Sequence, residues 1–396
     1  MSALLATPLP ATAAAPRVAL LADTFYEVNG AARTCREWDA YARRHRLPFF
    51  CVRWGRARAA TGEALELVRS GLAFLVDPDL KFDPCFFRVL EPVRKELERF
   101  RPDVIHITSP GDLGILGAIL ADRLKTRLAL SWHTNIHEFA ARRVHQFCAW
   151  LPGSVRGHTA RTIEQFVLDR VCSFFSRGDV LFAPNPELRS LLHSRTGKPV
   201  FPMGRGIDTE LFRPERRTRR DNALVIGYVG RLMPEKNLRL LTRIAAALRA
   251  AGISDFRFQI TGSGSERAWL ERNLAQAEFC GVLSGEPLAT AYANMDVFAF
   301  PSHTDTFGNV VQEALASGVP AVVTGSGGPR FIVRHGTSGF VTETDDEFCD
   351  RVVALARDEF LRCEMGRAAR LQTENQSWDR VFAEVYGGYE RSFSCA

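Results

Sequence analysis

Residues 296–328 pass from an apolar run (296–300) through a short polar loop (302–306) into a helical segment opened by Gly308 and Asn309. A second apolar run (319–323) follows and ends in Gly325, Gly327 and Gly328. Short apolar runs that alternate with a helix predict parallel βαβ structure, whose ligands sit where strands end and helices begin. The same alternation recurs along the chain. Its strand runs are RVALLAD, FFCVRW, FLV (74–76), DVIHIT, RLALSWH and DVLFAP, and later 225–230, FRFQIT and 335–341. Helical patterns separate them, notably after Gly30, before Phe100, over GDLGILGAILADRLK, after Asn185, over 237–252, 346–357 and 360–372. No hairpin signal interrupts the series, so an α/β architecture with parallel sheets is expected.

With 396 residues and about 150 residues per domain, two or three domains are expected. The division falls at GRGIDTELFRP and the charged ERRTRRDN that follows. The expected organisation is a flexible tail over 1–16, a Rossmann-like domain over 17–205, a hinge and exposed linker over 206–222, a second such domain over 223–376, and a helix over 377–396. The tail lacks a basic start and an unbroken apolar core, which sets it apart from a signal peptide.

Candidate chemistry lies at the strand-to-helix junctions. At 100° per residue Val310, Val311, Ala314 and Leu315 form the buried arc of their helix, while Asn309 and Glu313 share its flank. Glu313 can accept two hydrogen bonds from a vicinal diol such as a ribose, or simply complement the helix dipole, worth about 0.3–1 kcal/mol. Arg231 stands at a strand end, and Lys236 in or just before the next helical turn, where a cation is unfavourable unless an anion lies beside it. Gly30 begins a helix and either lets backbone N–H groups approach an anion or serves only the turn. His133 closes a strand run in the ligand-binding zone of an α/β sheet, with a structural role as the alternative.

Composition narrows the function classes. A net charge of +6 is scattered and does not select nucleic acid, a phosphorylated small molecule or an anionic membrane. Nine cysteines form no CxxC pair and no zinc-like spacing, which predicts reduced thiols and a cytoplasmic protein. No apolar run approaches the 18 residues a membrane span needs, so membrane contact would be peripheral, at the inner face. Segment 136–161 interleaves Arg142, Arg143, Arg156 and Arg161 with Phe139, Phe147, Trp150 and Leu151, which suits an anionic bilayer or lipid acceptor, or an ordinary amphipathic helix pair. Gly262, Ser263 and Gly264 form only a GxG after a strand, without a full GxGxxG or P-loop, against a dinucleotide oxidoreductase. Asp77, Pro78 and Asp79 form a DxD that reads as a turn because proline separates the carboxylates.

Asp305, Phe307, Gly308, Glu313 and Ala314 together resemble the acidic signature of retaining glycosyltransferases of family 4, which have the GT-B fold of two Rossmann-like domains facing a cleft. The TDTFG variant is similar to a branch with bacterial GDP-mannose-dependent mannosyltransferases and sulfoquinovosyltransferases. The resemblance implies hexosyl transfer with retention from a nucleotide diphosphate sugar (GDP-mannose or a UDP-sugar) to a sugar or lipid acceptor, glycolipid synthesis included, with no cofactor or bound metal. It gives Arg231 and Lys236 the donor diphosphate, and Asp305, Gly308 and Asn309 the sugar. Glu313 receives the ribose, Gly262 a turn near the nucleotide, and the Val282 and Leu283 backbone the base. His133 and the Gly30 loop approach the donor, and the last helix returns to the first domain. Asp305 where the family usually has glutamate, Arg205 for its asparagine and Arg330 in the loop after Gly328 depart from the pattern. Two other classes share the architecture: a sugar-nucleotide 2-epimerase, which needs further carboxylates, and a non-catalytic nucleotide-sugar-binding protein.

Overall fold

The computed structural model describes residues 15–27, 29–77, 80–138, 143 and 153–394. The chain divides into two compact units, one of Met1–Gly204 with Trp378–Ala396 and the other of Arg205–Ser377.

In the first unit the strands are β1 (Val18–Ala22), β2 (Phe49–Trp54), β3 (Ala59–Ala60), β4 (Ala64–Leu67), β5 (Phe74–Asp77), β6 (Leu80–Phe82), β7 (Val104–Ile107), β8 (Arg127–Ser131), β9 (Val180–Ala183) and β10 (Val200–Pro202). Eight of them form one sheet in the order β10-β9-β8-β7-β1-β2-β4-β3. The chain leaves β1 for β2 on one side and resumes with β7 on the other, so strand order reverses between β1 and β7. Strands such as VALLA are buried on both faces and read as unbroken apolar runs. One face packs Val93, Leu97, Leu113, Leu116 and Leu120 from two helices. The other packs Trp38 and Tyr41 from the helix Gly30–Arg44, and Phe382, Tyr386 and Tyr389 from the terminal helix Trp378–Ser394.

Local sequence explains the helix ends. Asn29 caps Gly30–Arg44 by accepting from the Ala32 amide at 2.8 Å. Asn185 does the same for Pro186–Thr196, with proline at the first helical position and Gly197 closing the helix at φ 66°.

Two antiparallel pairs, β3 with β4 and β5 with β6, depart from the all-parallel expectation. Strands of two to four residues carry too few positions to show a period of two. In the DxD segment Asp77 pairs with Leu80 across a hairpin, while Pro78 and Asp79 lie outside the described residues. Half of the basic and aromatic segment also lies outside them, including Phe139, Arg142, Phe147, Trp150 and Leu151, as do residues 1–14 of the N-terminal tail.

The second unit holds β11 (Leu224–Val229), β12 (Phe256–Thr261), β13 (Ala277–Gly281), β14 (Val297–Phe300), β15 (Ala321–Thr324) and β16 (Gly339–Thr342). These six strands are all parallel, in the order β13-β12-β11-β14-β15-β16, so the reversal falls between β11 and β14. This is the Rossmann arrangement, whose binding crevice lies outside the carboxyl ends of the two strands at the reversal.

The charged stretch 215–222 is mostly exposed, as expected of a linker, whereas the start of the 206–222 segment is packed. Ile207 and Phe212 join the core of the second unit, and Arg217 and Arg219 donate to Asp296 at 2.9 Å and 2.5 Å. Part of the charge of this segment is ion-paired. Among the described residues no helix is long and apolar enough to cross a membrane.

Candidate active site

The loops that leave the carboxyl ends of β11 and β14 bring Lys236 and Asp305 together at the strand-order reversal. Lys236 Nζ donates to both carboxylate oxygens, at 2.8 Å to Oδ1 and 2.7 Å to Oδ2. Lys236 is only 7% exposed, and its ammonium also lies 5.9 Å from the Phe300 ring centroid. Burial alone would raise the Asp305 pKa, but the Lys236 charge and hydrogen bonds, with Arg231 beyond, outweigh it and hold the carboxyl below its ordinary value.

The expected place of Lys236 at a helix N-terminus needs correction. It ends the separate 3-10 turn Pro234–Lys236, Asn237 turns left-handed at φ 52°, and the helix starts only at Leu240. Proline at the start of the turn and asparagine after it favour that break. The neighbouring anion is therefore a side chain of the same unit.

Arg231 follows the end of β11 with Nη2 3.7 Å from Glu235 Oε1, and its carbonyl accepts from the buried Tyr228 hydroxyl at 3.0 Å. Gly262 follows β12 at φ 138°, and a Cβ there would overlap the Gly230 carbonyl oxygen. Glycine at 262 thus lets the two loops close up beside Arg231. Gly308 has φ 106° and caps the helix Asn309–Ala316, and a Cβ on it would come within 2.9 Å of Pro329 Cγ. The Gly328 amide donates to the Asp305 carbonyl at 2.6 Å, which ties the loop after β15 to the loop after β14.

Glu313 does not look outward along a helix edge. It is 4% exposed, and its Oε2 accepts from the buried Tyr292 hydroxyl at 2.9 Å. The helix is buried on nearly every side from Val311 onward, because the helices on either side of it are packed against it. Val310, assigned to the buried arc, is only partly buried. Asn309 opens the helix, and Val282 and Leu283 follow β13, with the Val282 side chain exposed. Arg330 Nη1 donates to the Gly325 carbonyl at 2.8 Å, and Arg205 lies over the Phe307 ring at 5.7 Å.

In the first unit Gly30 begins its helix and is exposed, while His133 is buried two residues beyond β8. His133 Nε2 lies 2.6 Å from Ser131 Oγ. At the β1 and β7 ends Asp23 accepts from the Leu113 amide at 2.8 Å and from the Ser109 hydroxyl. Burial first, and the Asp112 carboxylate second, push the Asp23 carboxyl well above its ordinary value. Among the described residues no group of acidic, histidine and cysteine side chains is arranged to hold a metal ion.

Residues 28–211 match the family model described as Glycosyltransferase Family 4, and residues 223–358 match that described as Glycosyl transferases group 1. The GDP-mannose-dependent alpha-mannosyltransferase of Mycolicibacterium smegmatis is 33% identical over 304 residues, covering 74% of this chain and 75% of that protein. The chain belongs to glycosyltransferase family 4. The Sulfoquinovosyl transferase SQD2 of Arabidopsis thaliana is 31% identical to this glycosyltransferase over 312 residues, covering 73% of this chain and 57% of that one. The solved structure of a sucrose-phosphate synthase from Thermosynechococcus elongatus superposes with a TM-score of 0.70 at 16% identity, over 96% of this chain and 99% of that one, which shows a shared GT-B fold.

In this family 4 enzyme, reasoning from sequence missed Tyr292, Tyr228 and the Asp23 and Asp112 pair. A tyrosine within an apolar helix or strand carries no signal of which carboxylate it will meet. Asp23 did have one, since it is an aspartate at the end of the first apolar run.

Proposed function

We propose that this glycosyltransferase moves a hexose from a nucleotide diphosphate sugar to an acceptor, with retention of anomeric configuration and without a bound metal. GDP-mannose is the first donor to test, because the relatives from Mycolicibacterium smegmatis, Mycobacterium tuberculosis and Corynebacterium glutamicum carry that donor in their names. The observation that carries the reading is the Lys236 and Asp305 pair at the strand-order reversal of the second unit.

Departure of the nucleoside diphosphate develops negative charge on the leaving phosphate, and preorganised cations stabilise that charge without reorganising. An ammonium has three donors; Asp305 holds the Lys236 ammonium in place through two of them, and the third can serve a phosphate oxygen. Arg231, at the end of the same strand, forks a second phosphate. A carboxylate offers about four acceptor sites, so Glu313 can hold Tyr292 and still accept from a ribose hydroxyl. Asp305, with the Gly308 and Asn309 amides, orients the sugar, and the backbone at Val282 and Leu283 meets the base. His133 and the helix start at Gly30 are the groups of the first unit proposed to serve the donor.

The test is thermal stabilisation by GDP, UDP and their sugars, on the wild type and on Lys236→Ala and Glu313→Ala. A ligand at 100 times its Kd stabilises by about 2.7 kcal/mol, so one nucleotide class should stand out and lose its effect in both variants. Donor turnover that needs an acceptor and survives EDTA completes the picture, with the anomer read by proton NMR. If no nucleotide shifts the transition, the proposal fails.

A further inference from the structure

Among the described residues, five of the large apolar side chains left in solvent fall within twenty positions of one another. Val68, Leu72, Phe74, Leu75 and Phe87 are each 40–67% exposed. They lie on and beside the hairpin of β5 and β6, which pairs with no other strand. A run of ring contacts links the patch to the core beneath it: Phe74 to Phe82 and Phe82 to Phe86 at 6.0 Å between centroids, and Phe86 to Phe87 at 4.1 Å. Exposed apolar side chains gathered in this way mark a surface that something covers.

The base of the hairpin is fixed by polar contacts. Asp83, just after β6, accepts from the Ser70 amide at 2.6 Å and the Ser70 hydroxyl at 2.5 Å, and its own amide donates to Asp112 Oδ2 at 3.0 Å. Arg69 Nη2 donates to the Asp23 carbonyl at 3.1 Å. The hairpin is thereby tied to the carboxyl end of β1 and to the helix that follows β7, at the strand-order reversal of the first unit. Three exposed cations accompany it. Lys81 pairs with Leu75 across the hairpin, and the Gly55 amide donates to the Leu67 carbonyl at 2.7 Å, which brings Arg56 and Arg58 to the Val68 end of the patch. Among the described residues none of the three has a carboxylate partner. The carboxylates beside them are occupied, Glu66 by Arg53 at 2.9 Å and Asp83 by Arg88 at 3.2 Å.

Apolar side chains with unpaired cations beside them suit the boundary of an anionic bilayer, where the first leave water and the second meet lipid headgroups. A second copy of the chain suits the patch less. A stable protein interface takes about 20–30 residues a side, and a two-fold contact would bring two sets of these cations together. We propose that the β5–β6 hairpin docks the first unit onto an anionic lipid bilayer, with Leu72, Phe74, Leu75 and Phe87 inserted below the headgroups. Membrane contact is thus assigned to a segment other than 136–161, and it sets headgroups beside the strand-order reversal of this unit. The docking does not depend on the transfer chemistry.

The experiment is co-sedimentation of the full chain with vesicles of equal parts phosphatidylglycerol and phosphatidylcholine, beside vesicles of phosphatidylcholine alone. Wild type should bind the anionic vesicles at low salt and be partly released at high salt. Leu72→Asn with Leu75→Asn should lower the partition at least about tenfold. Arg56→Gln, Arg58→Gln and Lys81→Gln together should lower it about 100-fold, at about fivefold for each cation. Asp77 and Asp79 carry the opposing charge in this stretch, so Asp77→Asn with Asp79→Asn should raise it. The added emission of Leu75→Trp should shift to shorter wavelength on the vesicles and be quenched by brominated lipid, which reads insertion directly even if another variant fails to fold. Wild type left in the supernatant, an unquenched Leu75→Trp, or binding undiminished in folded leucine and cation variants overturns the proposal. So does a dimer that forms without vesicles and is lost in those variants. Stabilisation by nucleotide should be the same in all of them, so its absence from wild type overturns the glycosyltransferase reading and leaves the vesicle result standing.

Discussion

The charge of Lys236 and that of Asp305 depend on each other, because both are largely withdrawn from water. Removing one partner of a fully buried pair costs about 3–5 kcal/mol. The Asp305 side chain keeps 23% exposure, so Lys236→Ala should cost less, about 2 kcal/mol. A double-mutant cycle with Asp305→Asn, read by denaturant unfolding, should give a coupling of at least about 1 kcal/mol. Additive losses would show the pair to be inert. The native carboxyl of Asp305 titrates below its unfolded value of about 3.9. The stabilisation is therefore complete above that value and is lost as pH falls through the native pKa. Asp23 has the opposite sign. Its native pKa is raised, so the folded state binds more protons than the unfolded one above about pH 3.9, and stability falls as pH rises toward the native pKa. Asp23→Asn removes that titration. Its Tm relative to wild type should climb as pH rises above about 3.9, and a pH-independent difference would contradict the assignment. Glu313 shows where residue type and helix spacing mislead. The sequence places it correctly on its helix, but which sides of that helix are covered depends on neighbours distant in the chain.

At the scale of elements, the site consists of loops that approach one another through glycine. Gly262→Ala combines a positive φ of 138° with overlap on the Gly230 carbonyl, and should cost about 2 kcal/mol or more. Because the displaced loop carries Arg231, the same variant should weaken nucleotide affinity, measured by titration calorimetry. Unchanged affinity in a folded variant would separate this turn from the binding loop. The main strands were legible because burial on both faces makes each a continuous apolar run. The four strands that follow β2 were not, apart from FLV, since they are short and sit at an edge or in a hairpin. The helix expected over 237–252 starts only at Leu240; NLRLL continues the apolar spacing, while the left-handed Asn237 that breaks it has no unique sequence mark.

At the scale of the whole molecule, the second unit is one continuous segment with its own core, whereas the first needs a helix from the far end of the chain. Trp378, Phe382, Val385, Tyr386 and Tyr389 are buried in the first unit. Truncation after Ser377 should therefore unfold that unit selectively, losing one calorimetric transition and binding a hydrophobic dye, while residues 205–377 expressed alone should fold cooperatively. Loss of both transitions on truncation would show that the second unit depends on the first.

Sequence by itself determined the strand and helix alternation, the α/β class and the identity of most charged groups at the strand ends, because these follow from periodicity and from residue chemistry within a few positions. Only the tertiary structure decided that Lys236 is neutralised by Asp305, that Arg217 and Arg219 pair with Asp296, and that Tyr389 reaches His106. Each of those contacts joins residues dozens to hundreds of positions apart. Such pairings are set by strand order and by the burial that comes with it, and no local pattern encodes either.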